Sequence, residues 1–72
     1  MSSDVRKQFA LKLKTLREKS NYSQEEFAAI CGIDRTYIGR LERIERTPSL
    51  VILQKIADGL NISLSELLNF DT

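Results

Sequence analysis

The side chains with most to offer chemically lie in one short run: Arg35, Thr36, Tyr37 and Arg40. No nucleophile there has a base beside it. All four are hydrogen-bond donors, and Arg35 carries a planar fork that matches a pair of acceptors such as guanine O6 and N7. Thr36 donates, accepts and offers a methyl group. Arg40 lies one helical turn beyond Thr36, on the same face, where it can reach a base edge or a phosphate. Tyr37, next to Ile38, divides evenly between packing and contact, and the plain alternative for both arginines is solvated surface charge.

Catalysis finds no equipment. The chain has no histidine and a single cysteine, so neither a nucleophile–base pair nor a metal set can be assembled, and its carboxylates are scattered at helix starts. Cys31 sits among Phe27, Ala28 and Ile30, which makes it core rather than a reactive thiol, and alone it closes no internal disulfide. No enzyme activity, cofactor, metal or small-molecule ligand is expected. The net charge is only +1, but it is segregated. Six cations in residues 1–20 face only Asp4 and Glu18, and four arginines in residues 35–46 face Glu42 and Glu45. Residues 21–34 and 47–72 are acidic on balance. One face can therefore be basic while the whole is nearly neutral.

Seventy-two residues make one domain, taken here as residues 1–72, and at this size folding buries only about 60% of the surface of the unfolded chain. A partner subunit would help. No run of about 18 apolar residues is present to span a bilayer, and Ser2, Ser3 and Asp4 stand where a signal peptide would be apolar. A cytoplasmic protein without a membrane partner is expected.

The elements that must position Arg35–Arg40 are all helical. Val5, Phe9, Leu13 and Leu16 form one stripe on a helix from about Asp4 to Ser20. Ser23–Glu26 has the spacing of a capping box and starts a second helix, which Gly32 ends. Asp34 caps a third helix whose apolar positions are Ile38 and Leu41. Thr47 and Pro48 read as the cap and first residue of a fourth, with Leu50, Leu53, Ile56, Ala57 and Leu60 facing inward and Gly59 and Asn61 loosening its end. Ser63–Glu66 repeats the capping spacing before a brief fifth helix carrying Leu64, Leu67 and Leu68. No strand signal, repeat or linker appears. Within residues 24–43, Ala28 stands where two helices come closest and Gly32 makes the turn, with Phe27, Cys31, Ile33, Ile38 and Leu41 as filling.

With L-R-E-K, S-Q-E-E-F-A and C-G-I-D-R-T-Y-I in order, the sequence resembles the phage-repressor and Cro class of helix-turn-helix proteins. The residues that carry the likeness are L-R-E-K, S-Q-E-E-F-A, C-G-I-D-R-T-Y-I, L-E-R, T-P-S-L and A-D-G-L-N-I-S-L, in that order from about Phe9 to Leu68. D-R-T-Y-I-G with E-R and P-S-L looks most like the controller proteins of restriction–modification systems. The resemblance implies an all-α, five-helix, λ-repressor-like fold and a transcription regulator that binds double-stranded DNA. It places the third helix in the major groove with Arg35, Thr36 and Tyr37 against base edges. Arg17 and Glu42 correspond to a pair that ties the first helix to the third in that class. One departure stands out: where the class has a glycine after the third helix, this chain has Ile44, so the loop takes another path or the helix runs longer.

Affinity is expected from phosphate contacts. The amides behind Ser23 and Gln24 at the start of the second helix can hold one phosphate, with Gln24 hydrogen-bonding it or serving only as a helix start, and Arg43, Arg46 and Thr47 clamp the other side of the groove. Leu64, Leu67, Leu68 and Phe70 exceed what a short terminal helix can bury alone, so they either close the core or meet a twin across a two-fold axis. The homodimer is the expectation adopted, with a near-palindromic operator. The rival function is an antitoxin-like protein-interaction module working through that same C-terminal stretch.

Overall fold

The computed structural model describes residues 4–70. Five helices follow in order: α1 Val5–Lys19, α2 Gln24–Cys31, α3 Arg35–Glu42, α4 Leu50–Leu60 and α5 Leu64–Leu67. Each start has a side-chain cap. Asp4, Ser23, Asp34, Ser49 and Ser63 accept from amides two or three residues on. At α2 the box is complete, since the Ser23 amide also donates to Glu26 Oε1 at 2.9 Å.

The start of α4 corrects the sequence reading. The cap is Ser49, whose hydroxyl accepts from the Ile52 amide at 3.2 Å, while Thr47 and Pro48 stay in the loop. A Ser three residues ahead of Ile52 offers the amide its acceptor, and Pro48 then serves the extended approach rather than the first turn. Two apolar residues are also misassigned by periodicity. Leu50 is 74% exposed and Val5 60% exposed, each at the first turn of its helix, where the chain has not yet reached the core.

The first four helices close alike. Asn21, Gly32, Ile44 and Asn61 take φ of 62°, 71°, 63° and 58°. The next residue then donates back across the turn: Tyr22 to Arg17, Ile33 to Ala28, Glu45 to Arg40 and Ile62 to Ala57. Ile44 thus takes the glycine-like path directly after α3, which ends at Glu42. A β-branched residue there costs about 1–2 kcal/mol relative to its preferred conformations.

Phe27, Leu13, Ile38, Leu41, Ile56 and Leu67 are the largest wholly buried side chains, drawn from every helix. Ala28, 1% exposed, lets α2 and α3 approach. Gly59 lies inside α4, where it packs: a Cβ there would overlap the Cys31 sulfur, with Cys31 Cα at 3.5 Å. It is a contact point between α2 and α4 instead of a loosened end. Among the described residues no helix is long and apolar enough to cross a membrane, and no group of His, Cys, Asp and Glu is placed to hold a metal ion.

Candidate nucleic-acid interface

Asp34 turns the chain into α3 so that its first residues project. Its carboxylate accepts from the Thr36 amide at 3.1 Å and also from the Thr36 hydroxyl. These bonds and the neighbouring cations hold the Asp34 carboxyl below the usual range, the Thr36 side-chain bond contributing most. Arg35 stands 70% exposed and donates from Nη1 to Glu25 Oε2 at 3.1 Å. Arg40 is exposed, whereas Tyr37 is half-buried against the core, its ring shared between packing and surface.

Two shallow clefts flank α3. One is lined by Gln24, Glu25, Arg35, Thr36, Gly39 and Arg43. The other runs past Asp34, Thr36, Tyr37, Arg40, Ile52 and Lys55. Gly39 is buried beneath the first, and a Cβ on it would come within 3.0 Å of Arg43 Nη1 and 3.3 Å of Gln24 Oε1. Its missing side chain makes room for those two groups.

The residues expected at phosphates are placed unequally. Ser23 spends its hydroxyl as acceptor in the α2 cap. The Gln24 side-chain amide donates inward to Glu42 Oε1 at 2.9 Å, and its backbone amide stands at the first position of α2. Arg43 is exposed and paired with Glu45 through Nε and Nη2 at 2.9 and 3.3 Å, which raises the guanidinium pKa further and lowers that of the Glu45 carboxyl. Arg46 and Thr47 are exposed in the loop that follows.

Behind the surface, Arg17 and Glu42 form a two-point pair, Nε to Oε2 at 2.7 Å and Nη2 to Oε1 at 3.0 Å, with side chains 10% and 5% exposed. Arg17 Nη1 also donates to the Tyr22 carbonyl at 2.7 Å. The hydrogen bond to Glu42 raises the Arg17 guanidinium pKa against the opposing effect of burial. With Gln24 on the same carboxylate, one polar cluster joins α1, α2 and α3 and fixes the angle at which α3 is presented.

The helix-turn-helix family profile matches residues 13–67. The chain belongs to the helix-turn-helix family. Among its relatives, the control protein C.MunI from Mycoplasma sp is 52% identical over 66 residues, covering 90% of this chain and 89% of that one. Control protein C.BamHI from Bacillus amyloliquefaciens is 40% identical over 73 aligned positions, covering 100% and 90%. The crystal structure of the restriction-modification controller protein C.AhdI from Aeromonas hydrophila superposes with a TM-score of 0.83 at 40% identity, covering 86% of this chain and 94% of that one.

In this helix-turn-helix chain two groups beside α3 escape a reading of α3 alone. Lys55, exposed on α4, lines the cleft next to Tyr37 and Arg40. Glu25 meets Arg35 from α2. Lys55 follows the half-buried Ile52 by three positions, a signal present in the sequence only once α4 is known to lie against α3.

The C-terminal residues need a correction. Leu67 is 0% exposed and belongs to the protomer's own core, so it has no surface for a twin. Leu64 and Phe70 are half-buried, and Leu68 is 36% exposed. Leu68 and Phe70 line an apolar cleft together with Val5, Phe9, Thr47, Pro48 and Leu53. The one-turn α5 puts Leu64 and Leu67 inward, and only the end of the segment faces out.

Proposed function

We propose that this helix-turn-helix regulator is the control protein of a restriction–modification system, binding a near-palindromic operator as a homodimer. The observation that carries the reading is the exposed tip of α3, where Arg35 and Thr36 project beside Arg40 from a helix locked to α1 and α2 by the Arg17–Glu42–Gln24 cluster. A rigid helix with a donor fork at its start is what base-edge recognition in the major groove requires. Arg43, Arg46, Lys55 and the first amides of α2 would meet phosphates. The identity with C.MunI and C.BamHI, spread over nearly the whole chain, supports the controller role.

For the dimer the proposed surface is Leu68 and the half-buried Phe70 with the neighbouring Val5, a partly exposed apolar edge that a second copy would cover. Two copies so joined would present their α3 helices about 34 Å apart, with half-site centres roughly 10 base pairs apart. The test is selection of bound duplexes from a random library, followed by titration at several salt concentrations. A near-palindromic selected site and a steep fall of affinity with salt are expected. Failure to enrich any sequence refutes the reading, and retention of a partner protein without DNA would place the chain among interaction modules.

A further inference from the structure

The acidic groups on the proposed reading face are as notable as the basic ones. Arg35 pairs with Glu25, Thr36 with Asp34, and Arg43 with Glu45. Among the described residues Arg40 makes no ion pair. Glu25 differs from the other two carboxylates. Asp34 caps its own helix and Glu45 is two residues from Arg43, but Glu25 reaches Arg35 from another helix, ten residues away. It has no part in the α2 capping box, which uses Ser23 and Glu26, and its side chain is 72% exposed. A carboxylate in the first turn of α2 complements the helix dipole wherever its side chain points, and that role does not require the bond to Arg35.

We propose that Glu25 is a specificity-determining residue, which holds Arg35 so that it can read a base but cannot serve as a general phosphate contact. The inference rests on the DNA-binding reading above and adds a regulator of its selectivity. Glu25 engages Nη1 of Arg35 alone, and a guanidinium has five donor hydrogens, so a fork remains for guanine while the pair persists. On random DNA the alternative target of Arg35 is a phosphate. In this proposal Glu25 aims the remaining fork at the base edge, so Arg35 reaches a phosphate only by leaving Glu25, and the released carboxylate then stands unpaired beside the phosphate backbone. The cost falls on non-cognate complexes and spares the cognate one.

Glu25→Gln removes the charge at an exposed position and leaves the cap intact. Two duplexes serve as probes: one that the wild-type protein selects from a random library, and a scrambled duplex of the same composition. With Glu25→Gln, binding to the scrambled duplex should tighten by roughly two- to fivefold per protomer, the range an exposed ion pair carries. Its log affinity against log salt should steepen by about one per protomer, because Arg35 becomes a further phosphate contact. The selected duplex should gain less, so the ratio of the two affinities falls. In an Arg35→Ala background the same substitution should leave the scrambled-duplex slope unchanged. An equal gain on both duplexes would mean bulk charge alone, and a loss on the selected duplex would mean that Glu25 supports the bound pose; either overturns the proposal. A wild-type protein that selects no duplex from the library overturns the DNA reading itself, a distinct result that takes this proposal with it.

Discussion

Gly59 and Cys31 allow a test in which a substitution changes sign with its background. In the wild type, alanine at 59 gains about 0.8–1.0 kcal/mol of helix propensity but places its Cβ on the Cys31 sulfur. Overpacking of that kind costs about 1–3 kcal/mol. Cys31 is 7% exposed, so its sulfur has little room to swing aside. The net expectation for Gly59→Ala is a loss of about 1 kcal/mol, which lowers Tm by roughly 4–8 °C in a domain of this size. Cys31→Ala alone should cost about 1 kcal/mol for the buried volume removed. In the double variant the sulfur is gone, and the nearest remaining atoms, Cα and Cβ of residue 31, lie at 3.5 Å, ordinary contact. There Gly59→Ala should stabilise by about 1 kcal/mol, giving a coupling of about 2 kcal/mol. Urea titration of all four proteins, with m unchanged, measures it. Additivity within about 0.5 kcal/mol would refute the packing argument.

Four further outcomes follow from the same geometry. Arg35→Ala should cost about 1–3 kcal/mol on a selected operator and far less on random DNA; equal losses in a competition gel shift would return Arg35 to the phosphate contacts. Glu42→Ala should cost about 3–5 kcal/mol by leaving the Arg17 guanidinium buried without its partner, seen as a collapse of the thermal melt by circular dichroism, and a loss below 1 kcal/mol would contradict the cluster's structural role. Burial pushes the Cys31 thiol up to about 11 from an ordinary 9.0, so the folded state disfavours the thiolate. Its contribution to stability is full below the ordinary value and is lost as pH rises toward the folded one; Cys31→Ala should lack that share of the alkaline loss in urea midpoints. Leu68→Asp should give a folded monomer by sedimentation with weakened operator binding, while Leu67→Asp should fail to fold, because only the latter puts a charge into the protomer core.

The fold was legible because its signals are local. Ser23, Asp34 and Ser63 announce helix starts by their own chemistry, Gly32 announces a stop, and spacings of three and four residues carry the buried faces of Phe9, Leu13, Ile38, Leu41 and Ile56. Where two local signals competed, the reading slipped: Thr47-Pro48 and Ser49 can each open a helix, and only the hydrogen bond from Ile52 decides between them. Ile44 reads wrongly as a sign of another loop path or a longer helix, since a β-branched residue announces a strand or a buried helix face rather than the left-handed turn it takes here. What places it there is the closure between Glu45 and Arg40, a property of the ended helix and not of the residue.

The site was legible only on one side. Donor chemistry marks Arg35, Thr36 and Arg40 as groups that reach outward, because their use depends on what they are. Partners depend on where helices cross. Nothing in residues 24–26 tells whether Gln24 faces out to a phosphate or in to Glu42, or that Glu25 meets an arginine ten positions on; the crossing of α2 over α3 decides both. Leu67 is the same lesson in apolar form, since a leucine surplus at the C-terminus counts residues without knowing that one turn of α5 suffices to bury one of them completely. A reading face is therefore defined by its carboxylates as much as by its cations. On the proposed reading, in a chain of net charge +1, those carboxylates would hold individual arginines off phosphate, so that discrimination would rest on the geometry of α3 while phosphate contacts supply the affinity.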